Sequence, residues 1–132
     1  MIGEELMKIK SVSGITCYVK NLNKTVKFYE TLGFETKKKE ADHATLYSNW
    51  FWIDFLVIAK NERAAFTKGA DLTNKGAGVF LYLSVDDVDE SHKSLLAKGL
   101  KPSTKPQDQS WGNREFMLRD PDGYNLVIFK RK

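Results

Sequence analysis

Between Val19 and Gly33 the chain passes through a strand end, a capping residue, an apolar helical face and a terminating glycine. Between Val85 and Gly99 it does so again at the same spacing. Self-similarity at a fixed spacing marks one supersecondary unit used twice, so a single unit has to account for both halves. In the first half, Ile15, Cys17 and Val19 alternate with Thr16 and Tyr18 as a strand. Asn21 or Asn23 can cap the following helix, whose apolar face is Leu22, Val26, Tyr29 and Leu32 with Phe28 alongside, and Gly33 ends it. Segments 34–39, 43–48 and 51–57 read as three further strands.

The second half follows the same order. Val79, Leu81, Leu83 and Val85 mark a strand, Asp86 or Asp87 caps a helix carrying Val88, His92, Leu95 and Leu96, and Gly99 closes it. A strand near 100–103 and a loop over 106–113 lead into a hairpin whose turn is Asp120-Pro121-Asp122-Gly123. Proline pre-sets the backbone at the first corner, and Asp and Gly tolerate the conformations a tight reversal needs. Phe116 and Leu118 before the turn, and Leu126 and Ile128 after it, commit one face of each flank to a core. The expectation is α+β: β-α-β-β-β twice within one domain over 1–132, with modules at 13–60 and 78–132. A leader over 1–12 and a connection over 61–77, with a helical turn at 63–66, complete the chain; long connections are often binding loops.

Composition narrows the function classes. The net charge of +4 raises nucleic acid as a partner, but the only basic runs are Lys37-Lys38-Lys39 and Lys130-Arg131-Lys132, without interleaved aromatics, so no nucleic-acid partner is expected. No apolar run reaches the length of a membrane helix, the start carries acidic residues in place of a signal peptide, and no membrane partner is expected. Cys17 is the single cysteine, which suits a reducing cytoplasm, and between Thr16 and Tyr18 in an alternating strand it reads as a small buried side chain. No glycine-flanked nucleophilic serine, phosphate-cradling glycine loop or Cys–His pairing is present.

Period-2 alternation divides the strands between a helix-covered face and a second face. The second face receives Gly14, Thr16, Tyr18, His43, Thr45, Tyr47, Phe80, Tyr82, Ser84, Glu115, Met117, Arg119, Asn125, Val127 and Phe129, together with Trp50, Trp52, Asp54 and Leu56 from a strand apolar on both sides. Large aromatics with sparse polar groups suit a small-molecule pocket, or else a second core or dimer interface. The candidate ligand-binding residues are Tyr18, His43, Tyr47, Trp50, Trp52, Asp54, Phe80, Tyr82, Trp111, Arg114 and Glu115. His92 falls on the apolar helix face and reads as structural.

The segments Val19-Lys20-Asn21-Leu22, Phe28-Tyr29, Leu32-Gly33-Phe34, Val85-Asp86-Asp87-Val88, Gly99 and Arg119-Asp120-Pro121-Asp122-Gly123-Tyr124 resemble the vicinal oxygen chelate superfamily of glyoxalase I, bleomycin resistance proteins and extradiol dioxygenases. Trp111 through Phe116 is most similar to the bleomycin-resistance-like branch. The resemblance implies paired modules curling into a cupped mixed sheet (the glyoxalase/bleomycin-resistance fold), in a homodimer. It also implies divalent-metal ligands at positions that here are Gly14, Phe80 and Val127, with a fourth near Asp54. Three of the four offer no donor, so no metal and no other cofactor is expected. The reading is a cytoplasmic, metal-independent binding protein for an aromatic or amphipathic small molecule. The alternative is a metal-dependent glyoxalase-type lyase, isomerase or dioxygenase using His43, Asp54 and Glu115. A structural role, with the aromatic face spent on dimer contacts, is the third.

Overall fold

The computed structural model describes residues 7–57 and 76–132. The expected 63–66 turn, and most of the 61–77 connection, lie outside them. The first half is β1 (Gly14–Val19), α1 (Leu22–Leu32), β2 (Glu35–Lys39), β3 (His43–Ser48) and β4 (Phe51–Val57). The second is β5 (Phe80–Ser84), α2 (Val88–Ala97), β6 (Gln107–Asp108), β7 (Asn113–Arg119) and β8 (Asn125–Arg131). Each half builds its own four-stranded mixed sheet, in the orders β1-β4-β3-β2 and β5-β8-β7-β6. The first strand of each half runs parallel to the last, which the intervening helix makes possible. The repeat in the sequence is thus a repeat in topology.

Local chemistry sets the helix limits. Asn21 caps α1 by accepting from Lys24 N at 3.1 Å, and Asp87 caps α2 by accepting from Glu90 N at 2.9 Å. Gly33 takes a left-handed φ of 108° at the end of α1, a conformation that costs other residues a Cβ clash. The expected strand at 100–103 does not form. Prolines at 102 and 106 lack the N–H a ladder needs, and Ser103 N and Thr104 N turn instead to the Met117 carbonyl. The fourth strand of that sheet is the two-residue β6.

A single apolar core draws on both halves. Val19, Val26, Tyr29, Phe34 and Phe55 from the first meet Val88, Leu95, Phe116, Leu118 and Leu126 from the second. Tyr29 packs edge-on against Phe28 and Phe34 and lies tilted against Phe55. His92 packs edge-on against Phe116. The turn between β7 and β8 joins the halves: Tyr29 Oη donates to Asp120 Oδ2 at 2.8 Å, Lys20 N to Asp122 Oδ1 at 3.0 Å, and Tyr124 Oη to the Tyr18 carbonyl at 2.8 Å.

Thr25, also on α1, is fully buried and its hydroxyl finds no hydrogen-bond partner among the described residues. A buried, unsatisfied hydroxyl costs stability that a methyl of the same shape would not. Thr25→Val is therefore expected to stabilise the chain by about 1 kcal/mol, read as a higher urea midpoint.

Candidate functional site

Burial settles the parity of β4. Ile53 and Phe55 are fully buried toward α1, which sends Trp52, Asp54 and Leu56 to the helix-free face. Register then arranges that face as three rows across β1, β4 and β3: Gly14–Trp52–Tyr47, Thr16–Asp54–Thr45 and Tyr18–Leu56–His43. In the middle row the Thr45 hydroxyl donates to Asp54 Oδ1 at 2.6 Å. His43 Nε2 lies 3.5 Å from the same oxygen and 3.4 Å from Thr45 Oγ1. Thr45, like Thr16, alternates onto this face in the sequence, yet nothing in its type marks it as the residue that orients Asp54.

The helix-free face of the second sheet carries Phe80, Tyr82 and Ser84 on β5, Asn125, Val127 and Phe129 on β8, and Glu115, Met117 and Arg119 on β7. Phe80 and Tyr82 remain 44% and 47% exposed, with Tyr82 edge-on to Phe129. Glu115 is buried, and its Oε1 accepts from Trp111 Nε1 at 3.1 Å and Asn113 Nδ2 at 3.2 Å. Trp111 itself is 62% exposed. An exposed indole is thereby anchored by its N–H to an interior carboxylate. Glu115→Ala would leave both donors without that acceptor, and we expect a loss of about 2 kcal/mol by urea denaturation.

Two candidates stand apart from these groups. Trp50 lies in the β3–β4 turn, before the strand begins, where Asn49 takes a φ of 54°. Trp50 borders a cleft of about 410 Å³ with Leu32, Phe34, Phe51, Leu81 and Leu83, away from the Asp54 row. Arg114 has the opposite parity to Glu115 and turns to the helix side. It binds Asp89 of α2 through Nε at 2.8 Å and Nη2 at 2.7 Å, and Asp108 of β6 through Nη1 at 3.1 Å. The bonds from Arg114 hold the Asp89 carboxyl below the usual carboxylate range, and Asp108 is held below it first by Lys132 and then by Arg114. Arg114 is thus spent on tying α2 and β6 to β7.

Two β-α-β-β-β sheets sharing one core are the architecture the sequence resemblance implied, and a sequence profile of the glyoxalase/bleomycin resistance protein/dioxygenase superfamily matches residues 11–128. The chain belongs to this superfamily. The uncharacterized protein YraH of Bacillus subtilis (strain 168) is 28% identical over 121 residues, spanning 88% of this chain and 94% of that protein. A glyoxalase/bleomycin resistance protein/dioxygenase from Nocardioides superposes with a TM-score of 0.72 at 15% identity, over 98% of this chain and 89% of its own. The bleomycin resistance determinant encoded on transposon Tn5 superposes with a TM-score of 0.64 at 19% identity, over 93% and 99%. At such identities these structural likenesses establish the fold alone.

The metal positions that the resemblance implies fall on strands of both sheets. Thr16 pairs with Asp54 as Tyr82 pairs with Val127, so Asp54 and Val127 occupy equivalent places in the two sheets. Gly14 has no side chain, and a Cβ built on it would lie 2.1 Å from Trp52 Cδ2, so the indole fills the space a ligand from that position would need. Phe80 and Val127 carry no donor atom. Among the described residues no three His, Cys, Asp or Glu side chains converge. The described residues at these positions do not fit a divalent ion, which needs three or four N, O or S donors.

Proposed function

We propose that this chain is a metal-independent binding protein for an aromatic or amphipathic small molecule, acting as a cytoplasmic homodimer. The observation that carries the reading is the replacement of donors by rings: Trp52 covers Gly14, and Phe80 stands where a second ligand would. Aromatic walls with few polar groups favour a flat or apolar ligand, and offset stacking adds roughly 0.5–1.5 kcal/mol per ring pair. The exposed rings of Phe80, Tyr82 and Trp111 favour the dimer, since apolar surface of this kind marks an interaction site. The likeness to the Tn5 bleomycin resistance determinant makes an antibiotic one candidate ligand.

Equilibrium dialysis of chelator-treated protein against planar aromatics and a cationic glycopeptide tests the reading. Saturable binding without added metal is the expected result. Absence of saturable binding across the panel overturns it, as does binding that requires a stoichiometric divalent ion. Sedimentation velocity of the same sample checks the dimer.

A further inference from the structure

The chain holds 21 lysines and arginines, yet β1, β3 and β4 contain none. On the helix-free face of these three strands the one carboxylate is Asp54, at the centre of the three rows. Its side chain is 29% exposed, so it is reachable but poorly hydrated. Thr45 gives its proton to Oδ1 and His43 stands beside the same atom, while Oδ2 takes no hydrogen bond from the described residues. The rows on either side present Trp52 and Tyr47, and Tyr18 and Leu56. From β2, Glu35 lies opposite Tyr47 and Lys38 opposite Thr45. Both are already ion-paired along the strand, Glu35 with Lys37 at 2.9 Å and Lys38 with Glu40 at 3.2 Å.

A half-buried carboxylate with one oxygen fixed and one open, framed by aromatic rings, matches a particular kind of guest. An ammonium group gains a charge-assisted hydrogen bond from the open oxygen and attraction to the ring faces, and its apolar remainder covers the rings. An anion meets Asp54 as a like charge, and a neutral alcohol loses the ionic part. We propose that the first sheet's helix-free face is an organic-cation site, with Asp54 Oδ2 as the anchor for a primary ammonium and Trp52, Tyr47 and Tyr18 as its walls. This rests on the small-molecule-binding reading above and names the ligand class.

The test is an amide chemical-shift titration of the ¹⁵N-labelled full chain with benzylammonium, benzyl alcohol and benzoate, probes that share one ring and differ in charge. Benzylammonium is expected to shift β1, β3 and β4 amides saturably, with the other two at least about tenfold weaker. Asp54→Asn should bring benzylammonium down to the level of benzyl alcohol. His43→Gln, which cannot carry a charge, should bind benzylammonium at least as tightly as the parent. Equal affinity for benzoate, no effect of Asp54→Asn in a variant with an unchanged amide spectrum, or loss of binding in His43→Gln would each overturn the cation site. In those cases aromatic binding itself still stands. Shifts confined to the Trp50 cleft overturn the location. No shift with any probe removes the cation site, and only dialysis against larger aromatics then decides the broader reading.

Discussion

Asp120→Ala is expected to cost roughly 3 kcal/mol of folding stability, because one short, buried side chain closes three hydrogen bonds, the one from Tyr29 fully buried and the two within the turn partly so. Its Oδ2 accepts from Tyr29 Oη, and its Oδ1 accepts from the backbone N–H groups of Asp122 and Tyr124 at 2.9 and 3.0 Å. Truncation strands a buried phenol and loosens the turn that joins the second half to the first. Tyr29→Phe removes only the hydroxyl and should cost less, about 1–2 kcal/mol. A double-mutant cycle in urea should show the two losses to be strongly non-additive. Additive losses would mean that Asp120 matters through its turn alone.

The pH dependence has a definite sign. Burial lifts the Asp120 carboxyl above the ordinary carboxylate range, and it outweighs the hydrogen bonds from Tyr29, Tyr124 and Asp122 that pull the other way. Tyr29 is held far above the usual phenol range by burial and by Asp120, so it remains a donor. Between the ordinary carboxylate value and the raised one, the folded chain binds more protons at this site than the unfolded chain. The contribution is therefore fully present below the unfolded value and is lost as pH rises through the folded one. Asp120→Asn should abolish this component, visible as a flatter stability profile on the acid side of neutrality.

Gly14→Ala is the second large effect, expected at about 2 kcal/mol from overpacking. The new methyl would sit 2.1, 2.3 and 2.4 Å from Trp52 Cδ2, Cε3 and Cε2, atoms of the fused ring that cannot swing aside as a flexible tip would. With Trp52→Ala in place the same substitution should cost close to nothing. Equal cost in both backgrounds, by thermal or urea unfolding, would show that the indole leaves that space easily, and the argument that it fills a ligand position would fail.

How far the sequence can be read follows from the range of each interaction. The caps at Asn21 and Asp87, the glycine stop at Gly33 and the β7–β8 turn are written within a few residues, and so is the repeat they belong to. Alternation alone draws Trp50 onto the ligand face, because aromatics occupy both parities from Trp50 to Phe55. Only the turn at Asn49 fixes where pairing starts. Arg114 and Glu115 group naturally as neighbours in sequence, although alternation sends adjacent side chains to opposite faces and only one can reach the helix-free side. The Tyr29–Asp120 bond spans most of the chain, and local pattern is silent about it. The one available signal is chemical: a tyrosine at an apolar helix position needs a partner for its hydroxyl. The Asp54 row is half legible, since alternation gives its members but not the neighbour relations across β1, β4 and β3.

The buried cysteine has a practical consequence. Cys17 sits beneath the Asp120 turn, and burial, reinforced by the Asp120 and Asp122 charges, pushes its thiol up to about 12. Only the thiolate attacks, so the native molecule should ignore alkylating agents at neutral pH. Because this chain has no other sulfhydryl, the rate of iodoacetamide uptake becomes a clock for parting of the two halves, running without any added label.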